Sequence, residues 1–139
     1  MPAKDFYHDI VKEALIKDGW TITHDPLILP AGKTNVYMDL GAERMIGAEK
    51  GNEKIAVEIK SFLGKSGLND LENALGQFFF YLNVLEEKDP ERILVLAVPL
   101  TYFEGFLRDA FYTKLLTRMG VNTIIYNEIE KIIVEWKKY

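Results

Sequence analysis

The chain has 139 residues, enough for one buried core and too few for two ordinary domains. Hydrophobic residues make up 48% and charged residues 27%, which excludes a disordered tail, and the absence of cysteine excludes a disulfide framework and thiolate metal sites. The formal net charge of −4 excludes a surface that coats DNA by a general basic excess, so contact with nucleic acid has to be local or run through a metal or a partner.

No apolar run approaches the roughly 20 residues that span a bilayer. Met1 to Asp5 lacks the apolar stretch of a signal peptide. The expectation is a cytoplasmic protein with no membrane contact, folded as one domain over residues 1–139.

Residues 4–18 predict a helix, with Phe6, Ile10, Val11, Ala14 and Leu15 near one stripe and Gly19 as the stop. Trp20 to Thr23 reads as a short strand ended by Asp25-Pro26, and Leu27 to Leu29 as a second extended piece. Pro30 to Asn35 reads as a loop by composition. Residues 36–60 read as a hairpin turning at Gly51-Asn52. In its second arm Ile55, Val57 and Ile59 point one way, while Ala56, Glu58 and Lys60 point the other.

After a loop over 61–67, residues 69–88 predict a long helix with Asn69 or Asp70 as its cap and Leu71, Leu75, Phe78, Phe79, Leu82 and Leu85 as its apolar face. Arg92 to Val98 has the continuous apolar character of a strand covered on both faces. Thr101 to Met119 predicts a helix with an irregularity near Gly105, closed by Gly120. Val121 to Tyr126 and Lys131 to Trp136 are two final strands. The expected fold is an α/β sandwich, three layers with a central mixed sheet.

The residues with chemistry to offer centre on Glu58-Ile59-Lys60. On a strand this spacing puts a carboxylate and an ammonium on one face, about 6–7 Å apart. The carboxylate is a ligand for Mg²⁺, and the lysine can orient a water or neutralise a phosphate. Alone, the tripeptide also describes an ordinary solvated strand face. Asp39 strengthens it as a second carboxylate on the other arm, although simple hairpin register does not set it opposite Glu58; its bland reading is a strand start. Glu43 shares strand parity with Asp39 and is the alternative ligand.

Gln77 and Tyr81 lie four residues apart on the long helix and share an edge with Asn73, which can lie beside Glu58 and Lys60. The bland reading makes Gln77 solvated and Tyr81 a core residue. Glu13 on the first helix is a further carboxylate, and an ordinary surface residue otherwise. His8 and His24 read as surface or hydrogen-bonding residues rather than zinc ligands.

The set Asp39, Glu58-Ile59-Lys60 and Gln77-Phe78-Phe79-Phe80-Tyr81 resembles the PD-(D/E)XK restriction endonuclease-like superfamily, in the branch with a Gln-x-x-x-Tyr motif. Met38 stands where the family name has proline. Pro2 to Asp5, Asp18 to Pro26 and Ala48 to Phe62 resemble, more narrowly and nearly end to end, the XisH family of cyanobacterial fdxN element excision controlling factors. The resemblance implies a role in excising a DNA element during heterocyst differentiation, beside a recombinase and a small protein partner, XisI. It implies Asp39 and Glu58 as metal ligands, Lys60 as the catalytic lysine, Gln77 and Tyr81 as supporting residues, Mg²⁺ as cofactor and DNA as substrate. Nucleases of this kind often cut both strands as homodimers. A nuclease fold used without cleavage, through the protein partner, is the alternative.

Overall fold

The structure, a computed structural model, describes residues 3–31, 34–36, 45–60, 62 and 66–139. Helix α1 (Ala3–Lys17) leads into β1 (Thr21–His24). A small hairpin of β2 (Leu29–Ala31) and β3 (Thr34–Val36) follows, then β4 (Met45–Lys50), β5 (Glu53–Ile59) and the long helix α2 (Gly67–Lys88). Strand β6 (Arg92–Pro99) runs into one α-turn, α3 (Leu100–Tyr102), and a π-helical turn over Phe103–Leu107. Helix α4 (Ala110–Met119) and strands β7 (Thr123–Asn127) and β8 (Ile132–Lys137) complete the order.

Six strands form one open mixed sheet in the order β1-β4-β5-β6-β7-β8. The β4–β5 hairpin is antiparallel, with Met45 opposite Glu58 and Lys50 opposite Glu53. Strands β5, β6 and β7 are parallel neighbours, as the intervening helices require. The alternation expected along β5 is realised. Ile55, Val57 and Ile59 pack with Ile10, Val11, Leu15 and Trp20 of the α1 side. Ala56 packs on the other face with Leu71, Phe78 and Tyr81 of α2 and Leu116 of α4. Helices thus cover both faces of the sheet, an α/β sandwich. Each fully buried aliphatic side chain contributes about 1.5–3 kcal/mol, so β5 is held from both sides.

Several local readings change. Pro30 to Asn35, expected as a loop, contributes to a hairpin with Leu29 opposite Val36 and Ala31 opposite Thr34. Its glycine and proline content concealed a pairing that needs only two residues between strands. Helix α2 starts two residues early: Ser66, not Asn69 or Asp70, is the cap, its Oγ accepting from the Asn69 N–H at 3.1 Å. Phe6 is half-exposed because it lies off the stripe centred on Val11, Ala14 and Leu15. The irregularity expected near Gly105 is the π-helical turn, and Asp109 restarts the helix by accepting from the Phe111 N–H at 2.8 Å.

Two polar clasps lock the layers. Asp18 Oδ2 accepts from Trp20 Nε1 at 3.2 Å and Trp136 Nε1 at 3.3 Å, joining the end of α1 to edge strand β8. Asp25 accepts from Lys12 Nζ at 2.7 Å and meets His8 Nε2 at 2.8 Å, joining α1 to the turn after β1. Burial pushes the Asp25 carboxyl up, but the hydrogen bonds and charges of Lys12 and His8 outweigh it and hold the group below the ordinary 3.8.

A third contact lies inside the α2 layer. The Arg92 side chain is buried, donating from Nη1 to the Ile55 carbonyl at 2.9 Å and from Nε to Asp89 Oδ2 at 3.0 Å. Space for it comes from Gly47: a Cβ there would stand 2.8 Å from Arg92 Nη1 and 3.2 Å from the His24 Cβ.

Gly47→Ala is expected to cost about 1–3 kcal/mol through this overpacking, read as a lower urea midpoint with unchanged slope. Asp25→Asn is expected to destabilise at neutral pH. The depressed carboxyl contributes its full stability above its unfolded value and loses it as pH falls through the folded value, below 3.8, so the gap to wild type should close there. Thermal melts of both proteins across an acid series measure it; a gap that persists in acid would refute the ion-pair origin.

Candidate functional site

Strand alternation and pairing build the site. Glu58 stands between Met45 on β4 and Leu96 on β6, and both neighbours belong to the α2-side core. Its side chain is therefore carried into that layer, where it is fully buried at 0% exposure. Lys60 follows on the same face, just past the end of β5, and is only partly buried. Its Nζ donates to Gln77 Oε1 at 2.8 Å.

That contact depends on how α2 is turned. The buried stripe is Leu71, Ala74, Phe78, Tyr81, Val84 and Leu85. Leu75, Phe79 and Leu82, expected as part of the apolar face, lie at its margin, partly buried against the core. The helix is rotated so that Ala74, Gln77 and Tyr81 approach the sheet. Alanine at 74 lets the backbone come close, and Gln77 reaches Lys60. Tyr81 is both a core residue at 7% exposure and a neighbour along this edge. Asn73, expected on the same edge, is exposed.

The structure brings Glu58, Lys60, Gln77 and Tyr81 into one layer. It does not bring Glu13 there: this residue is on α1, against the other sheet face, exposed and 3.4 Å from Lys17 Nζ. Asp39 and Glu43 lie outside the described residues. Among the described residues no group of three or more His, Cys, Asp or Glu side chains is placed to hold a metal ion. The chemistry of Glu58 still suits a hard cation, since Mg²⁺ takes carboxylate oxygen and keeps several waters. His8 is buried against Asp25, and the His24 ring nitrogen is 2.9 Å from Thr23 Oγ1.

Sequence reasoning missed the wall beside Lys60. The Phe62 ring stacks on Tyr102 at 4.2 Å, and Tyr102 on Phe106 at 5.5 Å. The Tyr102 hydroxyl donates to the Gly67 carbonyl at 2.6 Å, fixing the start of α2. Burial raises the Tyr102 pKa well above its ordinary value, with Asp70 and Tyr112 adding to the effect, so it remains a neutral donor. Tyr102 lies far in sequence from both Phe62 and Gly67, and no spacing rule joins it to them.

A family model described as XisH protein matches residues 1–134. Among solved structures, an fdxN element excision controlling factor protein from Anabaena variabilis is 39% identical, with a TM-score of 0.85, 95% of this chain and 98% of that chain covered. An XisH family protein from Nostoc punctiforme PCC 73102 is 41% identical, with a TM-score of 0.86 and the same 95% and 98% coverage. No curated protein sequence matches.

The Lys60–Gln77 bond gives a direct test of the site's architecture. Gln77→Ala should lower stability by about 0.5–1.5 kcal/mol, the net value of one such bond, while Asn73→Ala on the exposed edge should stay within about 0.5 kcal/mol of wild type. Urea unfolding of the two variants measures the contrast.

Proposed function

Because this chain belongs to the XisH family, we propose that it controls excision of a DNA element, and that it does so as a Mg²⁺-dependent endonuclease on a PD-(D/E)XK restriction endonuclease-like fold. The observation that carries this reading is Lys60, tied by its ammonium to Gln77 at 2.8 Å and placed two residues after the fully buried Glu58 on one face of β5. Naming of the Anabaena variabilis protein as an fdxN element excision controlling factor supports the biological half.

Glu58 and Asp39 would hold the cation, which when bound supplies an activated water and offsets phosphate charge. Gln77 fixes the Lys60 side chain, so its ammonium is aimed before substrate arrives. This ordering lowers the cost of orienting a nucleophile or a phosphate. The fully buried carboxylate of Glu58 keeps bulk water from competing for the same oxygens. Tyr81 packs the helix edge that carries Gln77.

A second reading has its own support in the net charge of −4. An acidic chain is a poor solitary DNA binder, and a non-catalytic control factor working through an XisI-type protein partner fits that balance. Both readings place the protein in the cytoplasm, the first of them with a homodimer as the form that cuts two strands.

Nicking of supercoiled plasmid separates the two. Wild type is expected to nick with Mg²⁺ and not with EDTA, and Lys60→Ala and Glu58→Gln should each lose at least about a hundredfold, the scale of a positioned catalytic group. Mg²⁺ should raise the melting temperature of wild type but not of Glu58→Gln, because only binding to the folded state shifts it. Equal Mg²⁺ stabilisation of both proteins would place the cation elsewhere. Absence of nicking at every metal tried, with or without the partner, would leave the non-catalytic reading.

A further inference from the structure

The outward face of α4 differs from the rest of this acidic chain. Its sequence, Ala110 to Met119, contains Lys114 and Arg118 and no aspartate or glutamate. The two cations are one helical turn apart and therefore share a face, roughly 6 Å apart along the axis. The neighbouring carboxylate, Asp109, is turned onto the Phe111 N–H as the helix cap. Several cations elsewhere pair with carboxylates: Lys12 with Asp25, Lys17 with Glu13, Lys54 with Glu91, Arg92 with Asp89 and Lys137 with Glu135. Lys114 and Arg118 make no ion pair among the described residues.

These two side chains line an open groove of about 370 Å³ with Thr113 and Thr117. The threonine hydroxyls donate back to helix carbonyls, to Ala110 at 3.1 Å and to Thr113 at 2.8 Å. The outward polar character of the groove is thus set by the two cations. Phe111, 64% exposed, shares the face one turn earlier.

We infer that this face of α4 is where the chain meets the phosphate backbone of duplex DNA, with Lys114 and Arg118 as the phosphate contacts. The inference rests on the reading that the protein acts on DNA, and it names the surface that engages it. Two observations place this surface usefully. Leu116 buries the opposite side of α4 in the same layer as α2, so α4 covers the sheet face that carries Glu58 and Lys60. A chain of ring contacts runs from Phe62, beside Lys60, through Tyr102 and Phe106 to Tyr112 at 4.4 Å and then Phe111 at 5.1 Å. The groove is thereby fixed rigidly relative to the strand end. A locally basic face on a chain of net charge −4 also resolves how such a protein could hold DNA: by a few positioned contacts rather than a general field.

The test is fluorescence anisotropy of a labelled mixed-sequence duplex in EDTA across a salt series. Each phosphate contact adds about 0.9 to the slope of log affinity against log salt, so Lys114→Ala with Arg118→Ala should lower the slope by about 1.8 and weaken binding at least about tenfold. Lys88→Ala with Lys138→Ala removes the same charge elsewhere and should bind like wild type. Lys114→Arg with Arg118→Lys should retain binding, and matching thermal melts exclude misfolding. Equal weakening in both alanine pairs would overturn the inference, as would a wild type with no salt-dependent duplex affinity, the outcome if the face instead docks an acidic protein. Binding through α4 without nicking in Mg²⁺ would uphold this surface and defeat the nuclease reading. Nicking with unchanged affinity in the α4 pair would do the reverse.

Discussion

Strand β5 is buried on both faces, and the two faces carry different chemistry. Ile55, Val57 and Ile59 seal against α1, while Ala56, Glu58 and Lys60 turn toward α2. A one-residue slip would exchange them, driving Glu58 and Lys60 against α1 and the three branched side chains against α2. Pairing with β4 on one side and β6 on the other prevents the slip, because Met45 and Leu96 both stand opposite Glu58. The register of the central sheet and the placement of the carboxylate are thus one constraint.

Burying a guanidinium in this layer is costly unless it is satisfied, and the layer is arranged for that. Arg92 reaches across the small residues Ala56 and Gly47 to the Ile55 carbonyl and to Asp89, the residue that closes α2. Small side chains at one end of the strands leave room for the arginine. At the other end Ala74 lets α2 approach so that Gln77 meets Lys60. The helix is held at its middle and at its C-terminal end by polar contacts that its apolar stripe alone would not select.

The family shares this architecture, since two relatives near 40% identity superpose over 95% of the chain. Its acidic balance is not spread evenly. Carboxylates pair with Lys17, Lys54 and Lys137, while α4 carries Lys114 and Arg118 with no carboxylate of its own. Electrostatic attraction to a polyanion is set by such local potentials more than by net charge, and it weakens steeply with salt.

Periodicity made much of this legible from the sequence alone. The two-residue alternation of 55–60 fixed which side chains share a face, because neighbouring side chains on a strand must point oppositely. The four-residue spacing of Gln77 and Tyr81 fixed their common edge, and the apolar run of 92–98 marked a covered strand. What tertiary structure alone decided is rotation and partnership. The turn of α2 about its axis, which set Ala74 and Tyr81 inward and Leu75 at the margin, follows from packing against the sheet and cannot be read from an apolar face that is broad. The same is true of Glu13, whose helix could cover either face by its own pattern and in fact covers the one away from Glu58. The space that Gly47 leaves for Arg92 and the stack from Phe62 to Tyr112 join residues distant in sequence. Local pattern determines which groups point together; only the closing of the layers determines which groups meet.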